Sequence, residues 1–172
     1  MTHRLRPSRG ASAELEIKRS RFLALIERTR DEAQARSFIE RVRSEHPDAR
    51  HHCSAFIVSN PPMLDVENSS DDGEPSGTAG RPMLDVLRGA GLGQVTAVVV
   101  RWFGGVLLGT GGLVRAYGDA VREALAGLPV VEVVERDQLE VRISHAEAGA
   151  LEGAMQAQGC LLYTSDAADD SL

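Results

Sequence analysis

Cysteine is almost absent from this chain: Cys53 and Cys160 are the only two among 172 residues, and they form no C-x-x-C pair. That excludes a disulfide framework and a cysteine zinc site, and it fits a reducing cytoplasm. No apolar run approaches the roughly 20 residues that cross a bilayer. The basic start, MTHRLRPSRG, is followed by no apolar core of a secretory signal. Lysine is scarcer still: Lys18 is the single lysine among 19 basic residues, a bias expected of a GC-rich coding sequence. A net charge of -6 argues against nucleic-acid binding by the whole surface. Residues 1–50 nevertheless hold 12 basic against 8 acidic side chains, whereas residues 51–172 hold 7 against 17. A local basic face near the N-terminus remains open.

What is present is a soluble globular composition, 42% hydrophobic and 26% charged, long enough for one substantial core and the start of a second. The organising stretch is VTAVVVRWFGGVLLGTGGLVRAYGDAV, from Val95 to Val121. Its β-branched run predicts a buried central strand. Gly104, Gly105, Gly109, Gly111 and Gly112 follow within nine residues. Leu113, Ala116, Tyr117, Ala120, Ala124 and Leu125 then recur at helical spacing. A strand, a glycine turn and a helix place free backbone N–H groups at a helix N-terminus, where an anion is favoured. Arg101 and Arg115 flank the turn. Neither known glycine fingerprint fits: Thr110 stands where a phosphate loop needs lysine, and Val114 where a dinucleotide turn needs glycine or alanine.

Around this centre, residues 1–12 are expected to be disordered. Leu15 to Ile17 and Phe22 to Ile26 read as two strands or one bent at Ser20, and Asp31 as the N-cap of a helix reaching Ser44. His46-Pro47-Asp48 spells the tripeptide of co-chaperone J-domains, but without the flanking long helix pair it is a turn. His51 to Val58 reads as a strand on which His51 and His52 face apart and cannot easily share a metal. One of them is expected to line a groove. Asn60 to Gly80 reads as a long polar connection in which Asp71, Asp72 and Glu74 surround Gly73. Pro82 opens a short helix. After Gly127, Val130 to Val134 and Leu139 to Ile143 read as strands and Ala146 to Ala157 as a helix. The last residues, YTSDAADDSL, look like read-through into adaptor sequence, so 162–172 are expected to be non-native.

EIKRSRF at 16–22, HPDARHHC at 46–53, SDDGEPSGTAGRPML at 70–84 and VVVRWFGGVLLGTGGLVRAYG at 98–118 closely resemble the YigZ/IMPACT family, over about residues 13–126. The resemblance implies an α+β domain over 13–130, with a mixed β-sheet and helices packed on it, like domains of a small-subunit ribosomal protein and of an elongation factor. An incomplete ferredoxin-like domain over 131–161 would follow. In eukaryotic relatives this domain restrains the kinase that phosphorylates initiation factor 2 during amino-acid starvation, so translation control and stress response are the expected setting.

Two functions follow. The favoured one is a non-enzymatic regulator that binds RNA, the ribosome or a protein partner. It would use Arg101, Gly104, Gly105, Gly109, Thr110, Gly111, Gly112 and Arg115 for an anion, with His51, His52, Asp71, Asp72, Gly73, Glu74 and Arg81 lining the groove. That reading needs no metal, cofactor or catalytic residue. The alternative is a nucleotide-binding or phosphoryl-transfer enzyme with Mg²⁺ on Asp71, Asp72 and Glu74. The SDDGEP loop as a docking epitope is a third reading.

Overall fold

The computed structural model describes residues 5–58, 65–133, 139–160 and 162. It divides into a unit over residues 1–134 and a second over 135–172. The first unit is α+β. Its five-stranded sheet has the order β2 (Ala11–Ile17), β3 (Ser20–Arg28), β6 (Val95–Trp102), β4 (His51–Val58) and β5 (Val66–Ser70). All four ladders are antiparallel.

The run from Val95 to Val100 is central because both of its faces are apolar. Val95, Ala97 and Val99 join Phe22, Ala24, Ile26, Cys53, Ala55 and Ile57 beneath α2 (Gly80–Gly89) and α3 (Thr110–Ala126). Val98 and Val100 pack on the opposite side against Phe38 and Val42 of α1 (Glu32–Glu45). Helices therefore cover both faces of the sheet. Asp31 caps α1 as expected, its carboxylate accepting from the Gln34 N–H at 2.8 Å. The β2–β3 turn is made by Lys18 and Arg19, both in left-handed backbone at φ 48° and 65°. Such a turn matches strand twist, although glycine or asparagine is its usual occupant.

Three expectations are corrected. Residues 5–7 belong to no disordered segment: they form β1 (Leu5–Pro7), antiparallel to β7 (Val130–Glu132). A three-residue strand has no readable period, and only its partner defines it. Within the expected connection from Asn60 to Gly80, residues 66–70 form β5 on the sheet edge. Its sequence, VENSS, carries no apolar face, and charged or polar residues are what a safe edge requires. Finally, residues 139–143 form no strand, and β7 pairs within the first unit. A strand without a partner has nothing to satisfy its backbone. The second unit contributes α4 (His145–Ala157). Of residues 162–172, expected to be non-native, 163–172 lie outside the described residues.

Candidate functional site

Strand alternation continues past the core and decides where the polar residues go. Arg101 sits two residues beyond Val99, so it falls on the α3 face, with His51 of β4 and Phe22 of β3 as its cross-strand neighbours. Arg101 is 5% exposed, and such a charge must be paired. Glu74 supplies the partner. Its Oε1 accepts from Arg101 Nη1 at 2.5 Å and from the Tyr117 hydroxyl at 2.8 Å. Tyr117 lies on the buried stripe of α3, stacked edge-on to Phe22 with centroids 5.3 Å apart. A phenol in a core needs an acceptor for its O–H, and Glu74 meets that need.

The loop that delivers Glu74 is tied down by its neighbours. Asp71 accepts from the N–H groups of Gly77 at 2.7 Å, Gly80 at 2.8 Å and Ala79 at 3.0 Å. Burial works to raise its pKa, but these three hydrogen bonds prevail and hold it below the ordinary carboxylate value. Asp72 accepts from the His52 N–H at 2.7 Å and from Arg43 at 2.9 Å. The Asp72 carbonyl accepts from His51 Nδ1–H at 2.8 Å, which turns His51 Nε2 toward Glu74, 4.0 Å away. Asp71 and Asp72 are thus loop staples, not a pair of ligands presented outward. Among the described residues no group of three or more His, Cys, Asp or Glu side chains is placed to hold a metal ion.

Asp71→Asn is expected to cost about 2 kcal/mol at pH 7, the worth of charge-assisted bonds to backbone amides. A folded pKa below the unfolded value means that the stabilisation is complete above the unfolded pKa of about 3.9 and drains away as pH falls toward the folded one. Urea titrations between about pH 5 and pH 2 should show a shallower loss of stability in the variant than in the parent chain.

These elements enclose a cleft of about 400 Å³ lined by Arg50, His51, Glu74, Pro75, Arg101, Phe103, Leu107, Leu108, Gly109, Thr110 and Leu113. Helix α3 starts on its wall. Gly109 is the N-cap, at φ 74°, which a side chain would strain, and no side chain caps the helix. The first backbone bond of α3 runs from the Leu113 N–H to the Gly109 carbonyl; among the described residues the N–H groups of Thr110, Gly111 and Gly112 meet no acceptor. Arg101 Nε–H is also without an acceptor among them, though buried.

The cleft therefore unites five of the expected site residues: Arg101, Gly109, Thr110, His51 and Glu74. Within it, Arg101, expected as an anion ligand, pairs its Nη1 with Glu74. Others fall elsewhere. The Gly104 N–H is engaged by Ser20 Oγ at 3.2 Å. Gly105 and Gly111 are exposed, and Gly112 turns toward Leu108. Arg115 and Arg81 line a separate groove of about 740 Å³ between α2 and α3. His52 points to the opposite sheet face, where its Nε2–H donates to the His46 carbonyl at 2.9 Å. Gly73 packs beside the His51 ring.

Sequence reasoning missed Arg50, Phe103 and Leu107 in the lining and, outside it, the buried Tyr117 that holds Glu74. Tyr117 was readable as a polar tip on an apolar stripe; the loop residues carried no period.

The Impact N-terminal domain matches residues 18–125. The chain belongs to the IMPACT family. It is 52% identical over 122 residues to the IMPACT family member YigZ of Escherichia coli K12, a match covering 71% of this chain and 60% of that one. The member YvyE of Bacillus subtilis 168 is 44% identical over 135 residues, covering 78% of this chain and 59% of its own. A solved structure described as that of a hypothetical protein superposes with a TM-score of 0.72 at 40% identity, over 96% of this chain and 81% of its own. The two-domain translational regulator Yih1 aligns at 25% identity with a TM-score of 0.44, over 74% and 48% of the two chains, too distant to carry an argument. This IMPACT family chain spans about 60% of the length of the two bacterial relatives. Among its described residues no helix is long and apolar enough to cross a membrane.

Proposed function

We propose that this IMPACT family chain is a non-enzymatic regulator that acts in translation by binding RNA, alone or in the ribosome, on the face that carries the cleft. The observation that supports this most is the start of α3, which no side chain caps and whose Gly109 and Thr110 line the cleft together with Arg50. The exposed Lys18–Arg19 turn rests on Gly104 and brings two more cations next to the loop carrying Phe103 and Leu107, which are 45% and 81% exposed. Basic side chains around an exposed aromatic ring suit single-stranded RNA, whose bases stack while its phosphates are neutralised.

Two nucleophile candidates are poorly set for catalysis, which favours binding over turnover. Burial pushes the Cys53 thiol far above its ordinary pKa, and its S–H donates to the Asp71 carbonyl at 3.0 Å. Burial and then the nearness of Cys53 and Glu74 raise the Tyr117 phenol as well.

Filter binding of a mixed-sequence single-stranded RNA tests the reading. Affinity should fall steeply from low to physiological salt, and Arg50→Gln with Lys18→Gln should weaken it about tenfold and reduce the salt slope by about two. No retention at low salt overturns RNA binding; equal retention by the variant overturns this face.

A further inference from the structure

We infer that the groove between α2 and α3 seats an acidic amphipathic helix of a protein partner. It shares no lining residue with the cleft, so the inference does not rest on the RNA reading. The groove measures about 740 Å³ and follows α2 from Arg81 to Ala90, about 15 Å of helix. Met83, Leu84 and Leu87 turn one side of α2 into the core, and Ala116, Tyr117 and Ala120 do the same for α3. The adjoining stripes are left to form the groove. Pro82, Val86 and Ala90 on α2 and Val114 and Leu125 on α3 supply an apolar floor at helical spacing. Val114 takes no part in the core and is 40% exposed. Between the two α3 residues stands Gly118, where an added Cβ would first meet the Arg122 guanidinium, at 3.3 Å. A movable side chain, not a packed one, therefore covers the middle of the floor.

Charge names the occupant. In a chain of net charge -6, this lining sets Arg81, Arg115 and Arg122 against the Asp85 carboxylate. Arg81 donates to Asp85 at 3.2 Å and Arg122 to Asp119 at 2.6 Å. Both pairs are more than half exposed, and such pairs are exchanged at little cost. Arg115 has no carboxylate partner among the described residues. An apolar floor set among cations is complementary to a helix that carries apolar residues at i, i+3 or i+4, and i+7, with carboxylates on either side. A nucleic-acid strand fits less well: no aromatic side chain lines the groove to stack a base, and Asp85 would face its phosphates.

Fluorescence anisotropy on the full chain tests this with a labelled peptide of roughly 18 residues, long enough to hold a helix in water, carrying leucine at that spacing and glutamate beside it. A version with lysine for every glutamate and one with serine for every leucine are the controls. The leucine/glutamate peptide should bind at micromolar concentration, weaken as salt is added, and bind at least about tenfold more tightly than either control. Arg115→Glu should weaken it about tenfold, by setting like charge opposite like, and Val114→Gln about fivefold, by taking away apolar contact. Both positions are exposed and outside the core, so thermal midpoints should not move. The chain carrying Arg50→Gln and Lys18→Gln should bind the peptide like the parent. No binding of the leucine/glutamate peptide, equal binding of the lysine version, or unchanged binding by Arg115→Glu would each overturn the inference. RNA retention that falls with Arg115→Glu, without peptide binding, would overturn it too and assign the groove to nucleic acid.

Discussion

Gly104→Ala is expected to destabilise the first unit by at least about 3 kcal/mol, the upper range for forcing atoms into a filled site. A Cβ at position 104 would lie 2.0 Å from the carbonyl carbon and oxygen of Arg19 and 2.5 Å from the Ser20 nitrogen. Those are backbone atoms of the β2–β3 turn, and no rotamer change can move them aside. Either the turn lifts from the loop that follows β6, or the loop does, and the hydrogen bond from the Gly104 N–H to Ser20 Oγ is lost with it. Thermal unfolding should show a midpoint about 10 °C lower. Gly111→Ala is the control: a Cβ there meets nothing within 4 Å. It lies inside α3, so alanine should raise stability by about 0.5 to 1 kcal/mol. Equal effects at the two positions would mean that Gly104 is not held against Arg19.

The second large effect concerns the charge at the end of β6. Arg101→Met should cost about 3 to 5 kcal/mol, because Glu74, whose side chain is 4% exposed, would keep its buried carboxylate without the guanidinium that compensates it. Adding Glu74→Gln to that variant should recover most of the loss: the amide oxygen can still accept from the Tyr117 hydroxyl and no charge remains to be solvated. Denaturant titrations of the two single variants and the double variant form the cycle. A single Arg101→Met chain as stable as its parent would show that the pair has no structural role. For the same reason, reduced RNA binding by an Arg101 variant would confuse unfolding with lost contact, which is why Arg50 is the better probe of the surface.

The two cases show which parts of the sequence were legible. Val95 to Val100 announced a central strand because apolar, β-branched character persists along it, and His51 to Val58 announced a strand whose two histidines face apart. The helix starting at Thr110 was likewise visible in the spacing of Leu113, Ala116 and Tyr117. Partnership across the fold was not. Arg101 next to a glycine turn reads as a ligand for something external, whereas an acidic residue 27 positions earlier in the chain already binds it. Asp71 and Asp72 likewise read as outward acids, yet their oxygens are committed to amides and to Arg43. Local composition identifies which residues are polar and strongly interacting; only the three-dimensional arrangement tells whether they are already satisfied. The strands β1 and β5 escaped for a related reason, since neither has enough apolar alternation to mark it before its neighbour is known.

The small ladder joining Leu5–Pro7 to Val130–Glu132 has a kinetic consequence. Sequence separations of this length raise contact order, and the closure entropy must be met before the contact gives anything back. During vectorial synthesis this ladder cannot close until the chain has grown past residue 132; before then the first strand can be held only where the Leu5 carbonyl accepts from the Gly93 N–H.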